Sequence, residues 1–179
     1  MNILVTLLLV IVAIIAIFLI IALFSKKSYS LQREIIINKP TREVFDYIKH
    51  LKNQDNFNKW VMMDPNLKKT YRGTDGTVGF VYAWEGNKKA GKGEQEIINI
   101  TEDRRLDVEV RFERPFAGIS STPFITESLQ GNQTKLKWEM SSTMKYPMNI
   151  MLVFMNMDKM LGNDIQASLK TLKNILEKN

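Results

Sequence analysis

An unbroken apolar run at the N-terminus constrains this chain more than any other feature of its sequence. From Ile3 to Phe24 every side chain is apolar except that of Thr6, and no charged side chain precedes Lys26. A helix needs about 20 apolar residues to cross a hydrocarbon core about 30 Å thick. A cleaved signal peptide, the alternative, would have a basic start, a shorter apolar core and a small-residue cleavage site. The sequence therefore predicts an uncleaved transmembrane anchor over residues 1–25 and a soluble domain over residues 26–179.

Positive charge follows the apolar run and does not precede it, apart from the α-amino group. Lys26, Lys27 and Arg33 come after the run, and this asymmetry favours a cytoplasmic location for the soluble domain. The formal net charge is +6, but its lysines and arginines are scattered among acidic residues. A nucleic-acid-binding protein would show a clustered basic stripe or a recognisable module. We therefore expect no nucleic-acid partner.

The composition also excludes several kinds of site. The chain has no cysteine and one histidine, His50. Disulfides, thiolate nucleophiles and cysteine-based metal sites are therefore excluded, and a histidine-based metal site or triad has little to build on. We expect no metal and no cofactor, and we interpret His50 as a solvated surface residue.

Local patterns predict an α+β domain. A strand over residues 31–37 is followed by Pro40, which suits the first turn of a helix whose apolar face carries Val44, Phe45 and Ile48. From residue 68 to 144 apolar and polar residues alternate, with turn residues between the runs, as in antiparallel strands with one dry face. Residues 147–177 return to helical spacing, and Gly162 marks a bend or a close approach to the sheet. The dry face needs a cover, and this long C-terminal helix is the element able to provide it.

Several motifs resemble the START/Bet v 1-like superfamily, whose bacterial members are often labelled SRPBCC or polyketide cyclase/dehydrase proteins. The first motif is IIINKP at residues 35–40, followed by Val44, Phe45 and Trp60. The closer similarity is to a membrane-anchored bacterial subgroup. Its motifs correspond here to Asp64-Pro65, Tyr71-Arg72-Gly73, Val78-Gly79, Trp84-Glu85-Gly86-Asn87 and the MDKMLG stretch of residues 157–162. The resemblance implies a helix-grip fold, in which a curved antiparallel sheet wraps around a long C-terminal helix. It also implies a single-pass protein of the bacterial inner membrane.

A sheet curved around one helix leaves an internal cavity unless large side chains fill it. We expect the dry faces of the strands, with flexible methionines of the C-terminal segment, to line such a cavity. The candidate ligand-binding residues are Phe80, Tyr82, Trp84, Val110, Phe112, Trp138, Met140, Met151 and Met155. An aromatic and methionine stripe at strand or helix spacing is also what an ordinary core looks like, so core packing remains the alternative for each residue.

The sequence leaves three functional classes open. We expect a membrane-anchored binding protein for a hydrophobic small molecule, either lipid-like or polycyclic. A cyclase- or hydrolase-type enzyme is one alternative, although G-x-S-x-G and P-loop motifs are absent and no catalytic residue is predicted. A protein-interaction module of the chaperone-activator kind is the other alternative, and the sequence identifies no protein partner. The mostly charged outward residues of the strands argue against an apolar docking face.

Overall fold

The computed structural model describes residues 2–178, as an N-terminal helix followed by an eight-stranded sheet and further helices. The helices are α1 (Ile3–Phe24), α2 (Thr41–Lys49), α3 (Gln54–Phe57), α4 (Lys59–Met62), α5 (Met151–Phe154) and α6 (Met157–Lys178), with 3₁₀ turns at Leu51–Asn53 and Met148–Ile150. The strands are β1 (Ser28–Ile37), β2 (Lys68–Arg72), β3 (Val81–Glu85), β4 (Lys92–Thr101), β5 (Arg105–Arg114), β6 (Gly118–Ser121), β7 (Phe124–Leu129) and β8 (Gln133–Thr143).

Helix α1 is long and apolar enough to cross a membrane. Its 22 residues extend about 33 Å along the axis, which matches a hydrocarbon core of about 30 Å. Only Ala22 is buried against the rest of the protein. By length and composition this helix meets the requirements of a membrane span or of an N-terminal signal sequence.

All neighbouring strands of the sheet are antiparallel, in the order β1-β8-β6-β5-β4-β3-β2. Strand β7 also pairs with β5 and β8, so β6 and β7 occupy successive parts of one position. Strand β4 is out of regular register with β5 at two places, at Lys92/Gly93 beside the turn from β3 and at Ile97/Asn99. Irregularities of this kind increase the local twist of a strand.

Helix α6 packs across the concave face of the sheet, and its buried residues Ile165, Leu169 and Leu172 lie in one continuous core with the strands and α2. Gly162 of this helix lies against the side chain of Arg33 on β1. A Cβ atom at this position would collide with the guanidinium group of Arg33, which is held by Asp158 through hydrogen bonds of 2.9 and 3.0 Å. The helix-grip fold that the resemblance implied is confirmed.

Two local expectations differ from the structure. The alternation that begins at Val78 becomes a strand only at Val81, because Gly73, Gly76 and Gly79 adopt positive φ angles and form a turn. The C-terminal segment is interrupted before α6, where Met155 is extended and the Oδ1 atom of Asn156 accepts a hydrogen bond from Lys159 N at 2.9 Å. This capping bond starts a new helix at Met157, which helical spacing alone does not show.

The outer face of the sheet carries a charge network centred on Arg111. Its guanidinium donates to Glu94 Oε1 at 2.9 Å, to Glu109 Oε1 at 2.6 Å and to Glu96. Arg72 donates to the other oxygen of Glu94 at 2.9 Å. The hydrogen bond from Arg72, together with those from Arg111, holds the pKa of Glu94 below its usual range, although partial desolvation acts in the opposite direction.

We expect this network to make stability depend on pH in the acid range. Because the pKa of Glu94 is lower in the folded state, its contribution is complete above the unfolded value of about 4.3 and is lost as the pH falls through the folded value. Arg72→Gln should lower the melting temperature at neutral pH by about 1–3 °C, since the pair is partly exposed. Melting curves by tryptophan fluorescence in detergent should show the two proteins converging in acid. A difference that grows on acidification would contradict the assignment.

Candidate functional site

An internal cavity of about 210 Å³, partly open to solvent, lies between the concave face of the sheet, the α3–α4 segment and the start of α6. Its walls come from separate parts of the chain. They are Gln54, Asn58, Trp60, Val61, Met63, Leu67, Trp84, Lys89, Ala90, Gln95, Val110, Phe112, Arg114, Pro115, Thr122, Trp138, Met140 and Leu161.

Aromatic side chains form most of the apolar wall. All three tryptophans of the chain, Trp60, Trp84 and Trp138, line the cavity. Trp60 and Trp138 meet edge to face with ring centroids 5.9 Å apart, and Trp84 contacts Phe112 in the same way at 6.0 Å. Such contacts hold the rings in defined positions, so the wall is rigid where the aromatic residues form it.

A glycine on β4 makes room for one of these rings. A Cβ atom at Gly93 would lie 2.8 Å from Cζ2 of Trp84, closer than carbon atoms normally approach. The indole Nε1 of Trp84 donates to the carbonyl oxygen of Ala90 at 3.0 Å. The tryptophan is therefore fixed against β4 and against the turn that leads into it.

The same turn explains the Asp64-Pro65 and Gly86-Asn87 motifs. The buried carboxylate of Asp64 accepts hydrogen bonds from Asn66 N at 3.0 Å and from Asn87 N at 2.8 Å. The Oδ1 atom of Asn87 accepts from the backbone of Lys89 at 2.8 Å. These residues hold the β3–β4 turn, which contributes Lys89 and Ala90 to the cavity wall.

One side of the cavity is polar although it is buried. Gln54 Nε2 donates to Gln95 Oε1 at 3.1 Å, and Asn58 Nδ2 donates to Gln54 Oε1 at 2.7 Å. The three side chains are 2–6% exposed, so their amide groups lie in a low-dielectric environment. Such a cluster can orient a ligand that carries a hydroxyl or carbonyl group.

Trp138 adds an unused hydrogen-bond donor. Its side chain lines the cavity and is 3% exposed, yet its Nε1–H has no partner among the described residues. The ring itself is held by Phe124, which stacks on it at a centroid distance of 4.5 Å. Leaving a buried donor unpaired costs about 1–3 kcal/mol, so an acceptor that reaches this N–H would be bound favourably.

The structure brings five of the nine candidate residues together in the cavity, namely Trp84, Val110, Phe112, Trp138 and Met140. Phe80 and Tyr82 lie in the packed core beside it and do not line it. Met151 lines a second cleft, and Met155 lines neither of the two spaces.

Tyr82 is enclosed by its neighbours. Its hydroxyl donates to Asp55 Oδ1 at 2.8 Å, and its ring meets Tyr71 edge to face at 5.3 Å. Burial raises the pKa of Tyr82, and the hydrogen bond to Asp55 raises it further, so the phenol stays neutral. Asp55 also pairs with Lys69 Nζ at 2.8 Å. Tyr82 therefore links α3 to β3, and its hydroxyl proton is already donated to Asp55.

Sequence patterns did not indicate the polar wall. Gln54 and Asn58 lie in a polar, irregular stretch, and their partner Gln95 is on β4, 41 residues beyond Gln54. The spacing of Gln54 and Asn58 by four residues is the only local signal, since it places both on one side of a helical turn. Trp60 and Leu161 were noted within motifs, but nothing in the sequence placed them at the cavity.

A larger cleft of about 1120 Å³ lies at the end of the sheet nearest α1. It is bounded by the start of β1, the end of β8, strand β6 and the segment that follows β8, and Phe112 lines both this cleft and the internal cavity. Tyr29 forms part of its wall, and burial raises the pKa of this phenol, while hydrogen bonds with Ser120 and Ser142 partly offset the effect. Within residues 2–178, no three histidine, aspartate or glutamate side chains form a group that could hold a metal ion.

The strand order and the long helix α6 give the chain a Bet v 1-like helix-grip fold. No protein-family model matches the chain, and no curated protein matches it in sequence. Solved structures do match it in fold.

Norcoclaurine synthase from Thalictrum flavum, in complex with dopamine and hydroxybenzaldehyde, superposes with a TM-score of 0.65 at 10% identity, over 89% of this chain and 92% of that chain. Ara h 8.0201 has a TM-score of 0.58 at 14% identity, over 85% of this chain and 99% of its own. A hypothetical protein from Helicobacter pylori has a TM-score of 0.62 at 16% identity, over 82% of this chain and 87% of its own. At these identities the likeness establishes the fold.

Proposed function

We propose that the soluble domain binds a compact hydrophobic molecule in the internal cavity. The observation that carries this proposal is an apolar, aromatic-walled space of about 210 Å³. One of its wall residues, Trp138, has a buried Nε1–H with no partner within residues 2–178. Small-molecule sites are commonly apolar spaces with a few placed polar groups, and their volumes are typically about 300–1,000 Å³. The smaller volume here favours a molecule with one or two fused rings, or a short acyl chain, over a whole phospholipid.

The polar groups define which part of such a ligand would be recognised. The Gln54–Asn58–Gln95 cluster offers amide donors and acceptors, and Trp138 offers one donor. A ring system with one hydroxyl or carbonyl oxygen satisfies both requirements. The norcoclaurine synthase structure, which contains two single-ring aromatic molecules, shows a protein of this fold in complex with ligands of that kind.

The proposal includes the membrane. Helix α1 would anchor residues 1–25 in the bacterial inner membrane as a single span, with the domain of residues 26–179 on the cytoplasmic side. The length and exposure of α1 support the anchor, and Lys26 and Lys27 directly after it support the orientation. A hydrophobic ligand could then pass between bilayer and cavity with little exposure to water.

Native mass spectrometry of the full chain, released from lipid nanodiscs, tests the binding proposal directly. We expect a retained small molecule in addition to bound phospholipid. Exchange with 2-bromonaphthalene, a two-ring probe of the proposed size, provides a second readout, because its bromine quenches tryptophan fluorescence on contact and all three tryptophans line the cavity. A chain that carries no small molecule and shows no saturable quenching would contradict the proposal.

Trp138 and its neighbour Trp60 allow a matched test of whether the indole N–H of Trp138 contributes to ligand binding. Trp138→Phe removes a donor that has no partner in the described part of the chain, whereas Trp60→Phe removes one that donates to Asp164 Oδ2 at 3.0 Å. We expect Trp138→Phe to weaken binding of the co-purified ligand about 3- to 10-fold, the equivalent of one hydrogen bond, and to leave stability within about 1 kcal/mol of wild type.

Trp60→Phe should instead lower stability, because Asp164 loses its indole partner. Ligand titration by native mass spectrometry and thermal melting in the same detergent separate the two effects. Equal loss of affinity in both variants would show that ring packing, and not the free N–H, determines binding.

A further inference from the structure

The junction between α1 and the domain is short and rigid. Three residues separate the end of α1 at Phe24 from the start of β1 at Ser28, and they span at most about 11 Å. The backbone N–H of Met144 donates to Lys27 O at 2.7 Å, so the end of β8 is tied to this junction. If α1 crosses the membrane, the adjoining ends of β1 and β8 therefore lie at the membrane surface.

A side chain from the segment after β8 caps the end of α1. Asn149 is completely buried, and its Nδ2 donates to Ala22 O at 2.6 Å and to Ser25 O at 3.4 Å. The last carbonyl groups of a helix have no partner within the helix, and this amide satisfies that of Ala22 from outside. The 3₁₀ turn Met148–Ile150 is thereby fixed against the last turn of α1.

The following turn reaches further along α1. The ring of Phe154, in α5, meets the ring of Phe18 at a centroid distance of 6.0 Å. Phe18 lies about 9 Å along the helix axis from Phe24. A residue in contact with Phe18 is thus level with the acyl chains of a bilayer that α1 spans, not with its headgroups.

The exposed side chains of this segment suit that depth. Phe154 is 67% exposed and Val153 is 52% exposed, and Met148 beside them is also exposed. None of residues 146–154 is charged, whereas Lys145 directly precedes them and Lys26 and Lys27 lie at the same junction. Apolar groups flanked by lysines and a tyrosine, here Tyr146, are typical of a segment that lies in the membrane interface.

We propose that residues 148–154 are inserted into the cytoplasmic leaflet beside α1, so that the domain is docked on the bilayer and not merely tethered to it. Met148 and Met151 of this segment line the large cleft, and Phe112 lines both that cleft and the internal cavity. The cleft would then open on to the leaflet, and a hydrophobic ligand would pass from lipid to cavity past Phe112. This inference rests on the anchoring role proposed for α1.

The absence of cysteine makes the depth of single residues measurable. Nitroxide labels on Phe154→Cys, Ile14→Cys and Gln130→Cys would be compared in the full chain, reconstituted in vesicles of phosphatidylcholine and phosphatidylglycerol. Position 14 lies in the middle of α1, and position 130 lies in the β7–β8 turn. Strands β1 and β8 run side by side for about 33 Å, and the β7–β8 turn lies at the end of this pair that is far from α1. Position 130 therefore serves as the matched control.

The expected result is that the label at 154 collides with oxygen more than with a water-soluble nickel complex, as the label at 14 does, while the label at 130 shows the reverse. A label at 154 that behaves like 130, with 14 still in the bilayer, would overturn the inference and leave the anchor intact. If the label at 14 is also accessible to the nickel complex, both the docking inference and the anchoring role of α1 would be overturned. Low accessibility to both reagents at 154, with spin–spin broadening, would instead identify a second copy of the chain as the partner of this surface.

Discussion

Replacing Leu161 with tryptophan is expected to reduce the affinity for the ligand at least about tenfold, which corresponds to about 1.4 kcal/mol of binding free energy. Leu161 lies on α6, lines the cavity and is only partly buried. A larger ring at this position can enter the empty space without forcing the packed core apart. The space is about 210 Å³, so an indole group leaves too little room for a ring-sized ligand.

The neighbouring residue provides the control for this substitution. Met160 is 44% exposed and lines neither the cavity nor the cleft. Met160→Trp should therefore leave occupancy unchanged, as measured by native mass spectrometry of both variants from nanodiscs. Leu161→Trp should melt at or above the wild-type temperature, since filling a cavity commonly stabilises a protein. Equal occupancy in Leu161→Trp and wild type would place the ligand elsewhere or exclude one.

Leu169→Ala should produce the largest loss of stability among the substitutions considered, about 2–5 kcal/mol, or a fall in melting temperature of about 5–15 °C. Leu169 is completely buried where α6 packs on the sheet. Truncation removes its apolar surface from the core and leaves a void, because the strands on the other side cannot close in.

Lys170→Ala is the matched control, because it lies on the same helix, is the next residue and is exposed. This variant should stay within about 0.5 kcal/mol of wild type. Thermal melting followed by near-UV circular dichroism in detergent measures both. A loss below about 1 kcal/mol for Leu169→Ala would mean that α6 contributes less to the core than its burial indicates.

Much of the fold follows from patterns that are local in the sequence. The apolar run of α1, the alternation in β5 and β8 and the helical spacing of α6 each determine an element from its own residues. Val110 on β5 and Trp138 and Met140 on β8 therefore face the interior as the alternation predicts. The break before α6 was missed because it depends on one capping residue, Asn156. An asparagine at this position could equally be a polar residue inside a continuous helix.

The candidate site was only partly accessible to the same reasoning. Tyr82 and Trp138 both belong to inward-facing strand positions, yet Tyr82 is covered by Asp55 and Tyr71 while Trp138 borders open space. Alternation gives the direction of a side chain and not what lies above it. The buried amides of Gln54, Asn58 and Gln95 were unpredictable for a related reason, because their burial depends on one another across distant segments.

The sequence alone determined a helix long and apolar enough to span a membrane, an antiparallel sheet with one dry face and a long helix to cover it, since each depends on the pattern of residues within one segment. Only the tertiary structure decided which part of the dry face is left uncovered, which polar groups meet there, and that residues 148–154 lie against α1. Those outcomes depend on how the α3–α4 segment and α6 close over the sheet, and on contacts such as Asn149 with Ala22 and Phe154 with Phe18. The contacting residues are more than a hundred positions apart, and no local pattern encodes such a pairing.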